Sequence, residues 1–176
     1  VTETVSMMST GDRPLMVSVK AVDPALYPFY GRLETRPPAD PAQILDADTV
    51  IVTDDLLLRL GAAVGDQVKL GDAFFHVAGI IAVEPDRMTG SLNVGPRVML
   101  SHEALDRSGL IVRGSRASQR YLFKLPAEGL SIEAARERLE ATFQPNRIAD
   151  FRETHPTIRR GLNRATNFLS LVSLVA

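Results

Sequence analysis

The stretch Val50–Arg97, VIVTDDLLLRLGAAVGDQVKLGDAFFHVAGIIAVEPDRMTGSLNVGPR, decides how the chain is read. It opens on Val50-Ile51-Val52, a β-branched run with the composition of a buried strand. Thr53 then stands where a helix N-cap belongs, Asp54 and Asp55 occupy the first turn, and Gly61 follows the last. That order predicts a short helix. A hydroxyl and two acids meet the free N–H groups at its start, and a glycine supplies a left-handed exit. Val64-Gly65-Asp66 turns the chain into Gln67–Leu70, and Gly71-Asp72 turns it back into Phe74–Val83. Alternation around a two-residue Gly/Asp turn predicts a hairpin. Nothing in the stretch points to chemistry; it reads as a β module that positions something else.

Working outward, Val1–Met8 alternates as a strand and Gly11–Pro14 is a turn. Leu15–Val22 predicts a second strand, with Met16, Ser18 and Lys20 on one face and Val17, Val19 and Ala21 on the other. The segment Tyr27-Pro28-Phe29-Tyr30-Gly31 is too rigid and apolar for a free linker, and is expected to pack its rings on the sheet. Arg36–Gln43 is an exposed proline-rich connection. On the other side, Glu84–Pro96 is long for a hairpin connection and places Met88, Leu92 and Val94 between glycines. These three are the candidate substrate or partner contacts. Val98-Met99-Leu100 then repeats the strand-to-helix pattern, with Ser101 as N-cap and Gly109 as exit. Superposing Ser101 on Thr53 places Leu105 on Leu57 and Gly109 on Gly61, which fits an internal duplication or two solutions to one capping problem. Gln119–Leu125 reads as a strand, Ser131–Phe143 as a capped helix and Asn146–Phe151 as a short strand. The expected class is α+β.

Composition narrows the functions. The chain has 176 residues, 45% of them hydrophobic, enough for a sizeable core. Twenty basic against twenty-one acidic residues leave a net charge of −1, without the basic excess of a nucleic-acid ligand. Zero cysteines exclude disulfides, thiolate metal sites and a cysteine nucleophile. Val1–Thr10 lacks the basic leader and apolar core of a signal peptide.

A search for catalytic constellations assembles none. His76, His102 and His155 have no ligand neighbours at metal-binding spacing. Gly61–Asp66 carries Asp66 where a phosphate loop needs lysine, and a strand follows instead of a helix. Arg113–Ser118 lacks the second glycine of a nucleophile elbow. The paired acids Asp54-Asp55 and Asp46/Asp48 are explained by caps and turns. Arg107, Arg113, Arg116 and Arg120 form a modest basic cluster, read as a solvated face ahead of an anion site. No catalytic residue, metal or cofactor is expected, and the chain is read as not an enzyme.

From Thr157 the chain is helical in composition and free of proline. Ile158, Leu162, Ala165 and Leu169 recur at helical spacing and are the candidate stalk positions. Phe168–Ala176 is uncharged but shorter than the roughly 20 residues that span a bilayer. The residues alone leave a docked amphipathic helix and the start of a membrane helix equally open.

Several of these pieces, in this order, resemble a known family. They are Leu57–Gly71 (LLRLGAAVGDQVKLG), Tyr27–Gly31, Glu84-Pro85-Asp86-Arg87 and Gly95-Pro96-Arg97, with an apolar helix behind them. The chain is similar to the extracytoplasmic, MacB-like periplasmic core domain of FtsX-like ABC transporter permeases, in particular those associated with lysophospholipase L1 biosynthesis. The resemblance implies a porter-like α+β subdomain from residues 1–49 and 110–156, with a β-rich subdomain, 50–109, inserted into it. It further implies that 157–176 is a stalk leading into a membrane helix, and that the domain sits on the periplasmic side of a bacterial inner membrane. The implied partners are a cytoplasmic ATPase subunit, a second permease copy or half, and an envelope lipid, lipoprotein or protein. Such a domain would couple ATP hydrolysis to export, extraction or handover of an envelope substrate. The alternative is a free-standing soluble module that binds a ligand or partner.

Overall fold

Alternation of inward apolar and outward polar residues builds the first hairpin. In the computed structural model, which describes residues 1–11, 13–86, 95–125, 129–143 and 146–149, β1 (Thr2–Thr10) and β2 (Arg13–Val22) pair antiparallel along their length. After β3 (Glu34–Arg36) and a single helical turn, α1 (Pro41–Ile44), the organising stretch follows. It forms β4 (Thr49–Thr53), α2 (Asp54–Leu60), β5 (Gln67–Leu70) and β6 (Ala73–Val83). Next come β7 (Arg97–Ser101), α3 (His102–Arg107), β8 (Ala117–Gln119) and α4 (Ile132–Thr142). The chain divides into two units, Val1–Leu122 and Phe123–Ala176.

The sheet of the first unit closes on itself. Its strands run β2–β7–β4–β6–β5–β1, and β1 returns to β2. β8 and β3 lie outside this ring, on β1 and β6. Strands from both sides of position 50 therefore share one ring. Closure removes the free edges that would otherwise invite pairing with other chains.

The ring has an internal two-fold pattern. Exchanging β1 with β5, β2 with β6 and β4 with β7 maps every pairing onto another of the same sense. The parallel pair β2–β7 becomes β6–β4, and the antiparallel pair β1–β2 becomes β5–β6. The seams β4–β7 and β1–β5 map onto themselves, with Ile51 opposite Met99 at the centre of the first. Each half is a hairpin, a strand and a short helix. The Thr53/Ser101 superposition thus extends to a whole folding unit, as a duplication requires.

Two buried layers follow from the alternation. Inside the ring lie Val17, Val19, Val50, Val52, Phe75, Val77, Val98 and Leu100, covered at the ends by Leu56, Leu57, Leu60 and Leu105 of α2 and α3. On the outside, Ile51, Met99, Ile81 and Val22 form a second apolar cluster beneath Tyr27, Leu33 and Leu45. The Tyr27 ring packs on the sheet as its sequence predicts.

Ser18 and Lys20, on the face of β2 opposite Val17 and Val19, are fully buried because the outer layer covers them. Three local expectations change. Thr53 precedes α2 with extended backbone but makes no side-chain cap bond. The strand expected at Gln119–Leu125 instead spans Ala117–Gln119. Register with β1 pairs Thr2 with Gln119, and the Arg120 N–H bonds the Val1 carbonyl, leaving Tyr121 78% exposed with no strand beside it among the described residues. Of the short strand expected at Asn146–Phe151, residues 146–149 are irregular and the rest lie outside the described residues. Within the second unit, α4 forms where predicted, its Ser131 hydroxyl accepting the Ala134 N–H at 3.1 Å.

Candidate functional site

Three motifs that stand far apart in the sequence meet on the outer face of β1, β2 and β7. The meeting follows from register. Glu3 lies opposite Lys20 across the first hairpin, and Ser18 lies beside Arg97 across the parallel pair β2–β7. These outward positions are flanked by the end of β6 and by the Tyr27 segment. Gly31 lets that segment close on the sheet: its φ is +78°, and a Cβ there would stand 2.7 Å from the Pro85 Cβ.

The charged groups form a single file of alternating sign. Arg120 Nη2 stands 3.3 Å from Glu3 Oε1, and Arg97 Nη1 stands 3.6 Å from the same oxygen. Arg97 Nε donates to Glu84 Oε2 at 3.3 Å, and Lys20 Nζ donates to Glu84 Oε1 at 2.9 Å. Lys20 also donates to Asp86 Oδ1 at 2.6 Å and to the Tyr27 hydroxyl at 3.0 Å, using all three of its protons. The Tyr27 hydroxyl in turn donates to Asp86 at 2.6 Å, and Arg97 Nη1 donates to Ser18 Oγ at 2.8 Å. The side chains of Lys20, Glu84, Arg97 and Glu3 are at most 1% exposed, while Asp86 and Arg120 at the two ends are each 27% exposed.

Electrostatics explains why such a file survives burial. Lys, Glu and Arg are almost never fully buried unless paired, and removing one partner of a buried pair costs roughly 3–5 kcal/mol. Here three cations face three anions, so the named groups sum to zero. Burial works against the Asp86 carboxylate, but hydrogen bonds from Lys20 and Tyr27 outweigh it and hold its pKa below the ordinary value. Burial, reinforced by the bond to Asp86, pushes the Tyr27 phenol far above its ordinary value. Tyr27 therefore stays a neutral donor. Every member is committed to another member, which suits a clamp and not a proton-transfer site.

The residues singled out in the sequence fall elsewhere. Met88, Leu92 and Val94 lie outside the described residues, as do the stalk positions Ile158, Leu162, Ala165 and Leu169, and His155. The clamp nevertheless holds residues on both sides of the 87–94 stretch, since Glu84 and Asp86 precede it and Arg97 follows it. His76 is exposed on β6, and His102 Nε2 lies 3.5 Å from the Thr2 hydroxyl. Asp46 accepts from the Thr49 hydroxyl at 2.7 Å, which holds its pKa below the ordinary value, and from the Asp48 N–H at 2.8 Å. Asp54 pairs on the surface with Arg36 at 3.3 Å. These acids build turns and surface contacts. The basic cluster is split: Arg107 bonds Asp48 and lies over the Phe75 ring, Arg120 joins Glu3, and Arg113 and Arg116 are exposed. No group of three His, Asp or Glu placed to hold a metal occurs among the described residues.

Sequence reading missed the ion file as a unit. The available signal was charge inside apolar strands: Glu3 and Lys20 in alternating runs, and Arg97 against Val98-Met99-Leu100.

No protein-family model matches the chain. Among curated proteins it is 30% identical over 171 residues to the uncharacterized ABC transporter permease YbbP of Escherichia coli (strain K12). The match takes in 97% of this chain, which spans 20% of that protein's length. Among solved structures, a domain assigned to a permease protein of Porphyromonas gingivalis aligns at a TM-score of 0.46 and 16% identity, over 80% of this chain and 62% of that one. No helix among the described residues is long and apolar enough to cross a membrane. The chain is thus homologous, over almost its whole length, to one segment of an ABC transporter permease.

Proposed function

We propose that the chain is the non-catalytic extracytoplasmic domain of an FtsX-like, MacB-like ABC transporter permease. The observation that supports this reading is the alignment itself, which is nearly complete for this chain yet occupies a fifth of a full permease. In this reading the fold is α+β, the barrel is the working head, and residues 157–176 form a stalk continuing into a membrane helix. ATP hydrolysis by a cytoplasmic subunit moves the stalk, and the domain exports, extracts or hands over an envelope lipid, lipoprotein or peptide. Met88, Leu92 and Val94 are the proposed contacts. The paired charges of the clamp, whose Glu84, Asp86 and Arg97 flank these residues in sequence, support a positioning role over a chemical one.

The test uses the absence of cysteine in this chain. The exposed Ala117 is replaced by cysteine in an otherwise cysteine-free full-length permease, and intact cells with a permeabilised outer membrane receive a membrane-impermeant maleimide. Labelling before lysis is expected. Labelling only after the inner membrane is broken overturns the extracytoplasmic placement. Deleting Leu162–Asn167 in the same protein is expected to abolish transport while leaving the domain folded, and surviving transport overturns the coupling.

A further inference from the structure

The file Arg120–Glu3–Arg97–Glu84–Lys20–Asp86 has a property its members lack singly. Its two ends reach solvent and its four middle charges do not. One end is fastened to β8, just before the first unit ends at Leu122. The other is fastened to the ends of β6 and β7. The β8 end is itself held by Val1, whose carbonyl accepts the Arg120 N–H at 2.8 Å. At the far end, the Ser18 N–H donates to the Pro96 carbonyl at 2.9 Å and the Arg97 N–H donates to the Thr53 hydroxyl at 3.2 Å.

We propose that this ion file is a conformational strut, through which displacement of β8 from β1 loosens the ends of β6 and β7. Each inner charge lies between two of opposite sign. Withdrawing Arg120 takes from Glu3 one of the two cations that flank it in the file, and so shifts the charge balance at that buried side chain. In a low-dielectric interior that imbalance is not screened by water, so it is relieved by rearrangement further along the file. Apolar contacts between the same elements fall off within a few ångströms and transmit no such imbalance. The coupling runs both ways, because linkage between two sites is reciprocal. The strut stands on geometry alone and does not depend on the permease reading.

Amide hydrogen exchange by NMR on the whole chain tests it. Arg120→Gln is expected to raise exchange at Ser18 and Arg97 by about tenfold, within the usual range of coupling between sites, while Val68 and Leu70 of β5 stay unchanged. Thr4→Val removes the 2.9 Å bond from the Thr4 hydroxyl to the Arg116 carbonyl, loosening β8 without touching a charge. That variant is expected to raise exchange at Ala117–Gln119 alone. Arg120→Lys keeps the cation and restores protection at Ser18 and Arg97. Asp86→Asn, at the other end, raises exchange at Gln119 and Arg120. The strut is overturned if Arg120→Gln loosens only β8, or if Thr4→Val reaches Ser18 and Arg97 equally. Should Arg120→Gln fail to fold, Asp86→Asn decides alone, and silence at Gln119 and Arg120 overturns the proposal.

Discussion

Asp86 carries the clearest titration signature in the ion file. Its folded pKa is depressed by Lys20 and Tyr27 against the opposing effect of burial. A depressed carboxylate contributes stability above its unfolded pKa, about 3.9, and loses that contribution as pH falls through the lower folded value. Asp86→Asn is therefore expected to be less stable than the native chain at pH 7 by about 1.5–3 kcal/mol, the range for hydrogen bonds to charged groups. The gap should narrow below about pH 4. Urea unfolding from pH 7 to 2.5 measures it. A gap that stays constant down to pH 2.5 contradicts the assignment. The sequence showed each charged residue but not their alliance: the six come from five separate stretches, and only strand register brings them within 4 Å of one another.

Thr53 and Ser101 occupy equivalent places in the two halves, and local sequence assigns both the same capping role. The structure divides them. Ser101 Oγ accepts the Ala104 N–H at 3.0 Å and donates to the Asp46 carbonyl at 2.7 Å, so it caps α3 and ties it to the turn before β4. Thr53 Oγ1 makes no cap bond to α2 and instead accepts the buried Arg97 N–H at 3.2 Å, where β7 starts. Asp54 and Asp55 still favour the N-terminus of α2 through the helix dipole. Two different failures are expected. Ser101→Ala costs about 1–2 kcal/mol and speeds exchange at the Ala104 amide. Thr53→Val costs about 1–3 kcal/mol by leaving the Arg97 N–H unpaired, and it leaves the α2 amides alone. Faster exchange at Leu56 in Thr53→Val would show that Thr53 caps after all.

At the scale of the whole first unit, closure makes β1 indispensable. It pairs with β2, β5 and β8, supplies Met8 to the inner core, and carries Glu3 on its outer face. Removing residues 1–10 opens the ring between β2 and β5 and takes Glu3 from between Arg97 and Arg120. Calorimetry of that truncated chain is expected to show no cooperative transition. A transition comparable with the intact chain's would mean that β2 and β5 close without β1, and that the ring is not the cooperative unit.

Local physics was enough for the elements. The Gly71-Asp72 turn fixed the second hairpin, glycine exits ended α2 and α3, the Ser101 and Ser131 hydroxyls capped α3 and α4, and period-two alternation chose the inner faces of β1, β2 and β6, all within reach of neighbouring residues. Tertiary structure decided what lay beyond that reach. It closed the ring, turned a repeated strand-to-helix pattern into a two-fold topology, and buried Ser18 and Lys20 on a face their polarity assigned to water. The physical reason is that alternation specifies which residues share a face and leaves open what covers it. A lysine in a strand reads as exposed until two carboxylates and a phenol, supplied by segments some 7 to 66 residues away, make burial cheaper than solvation.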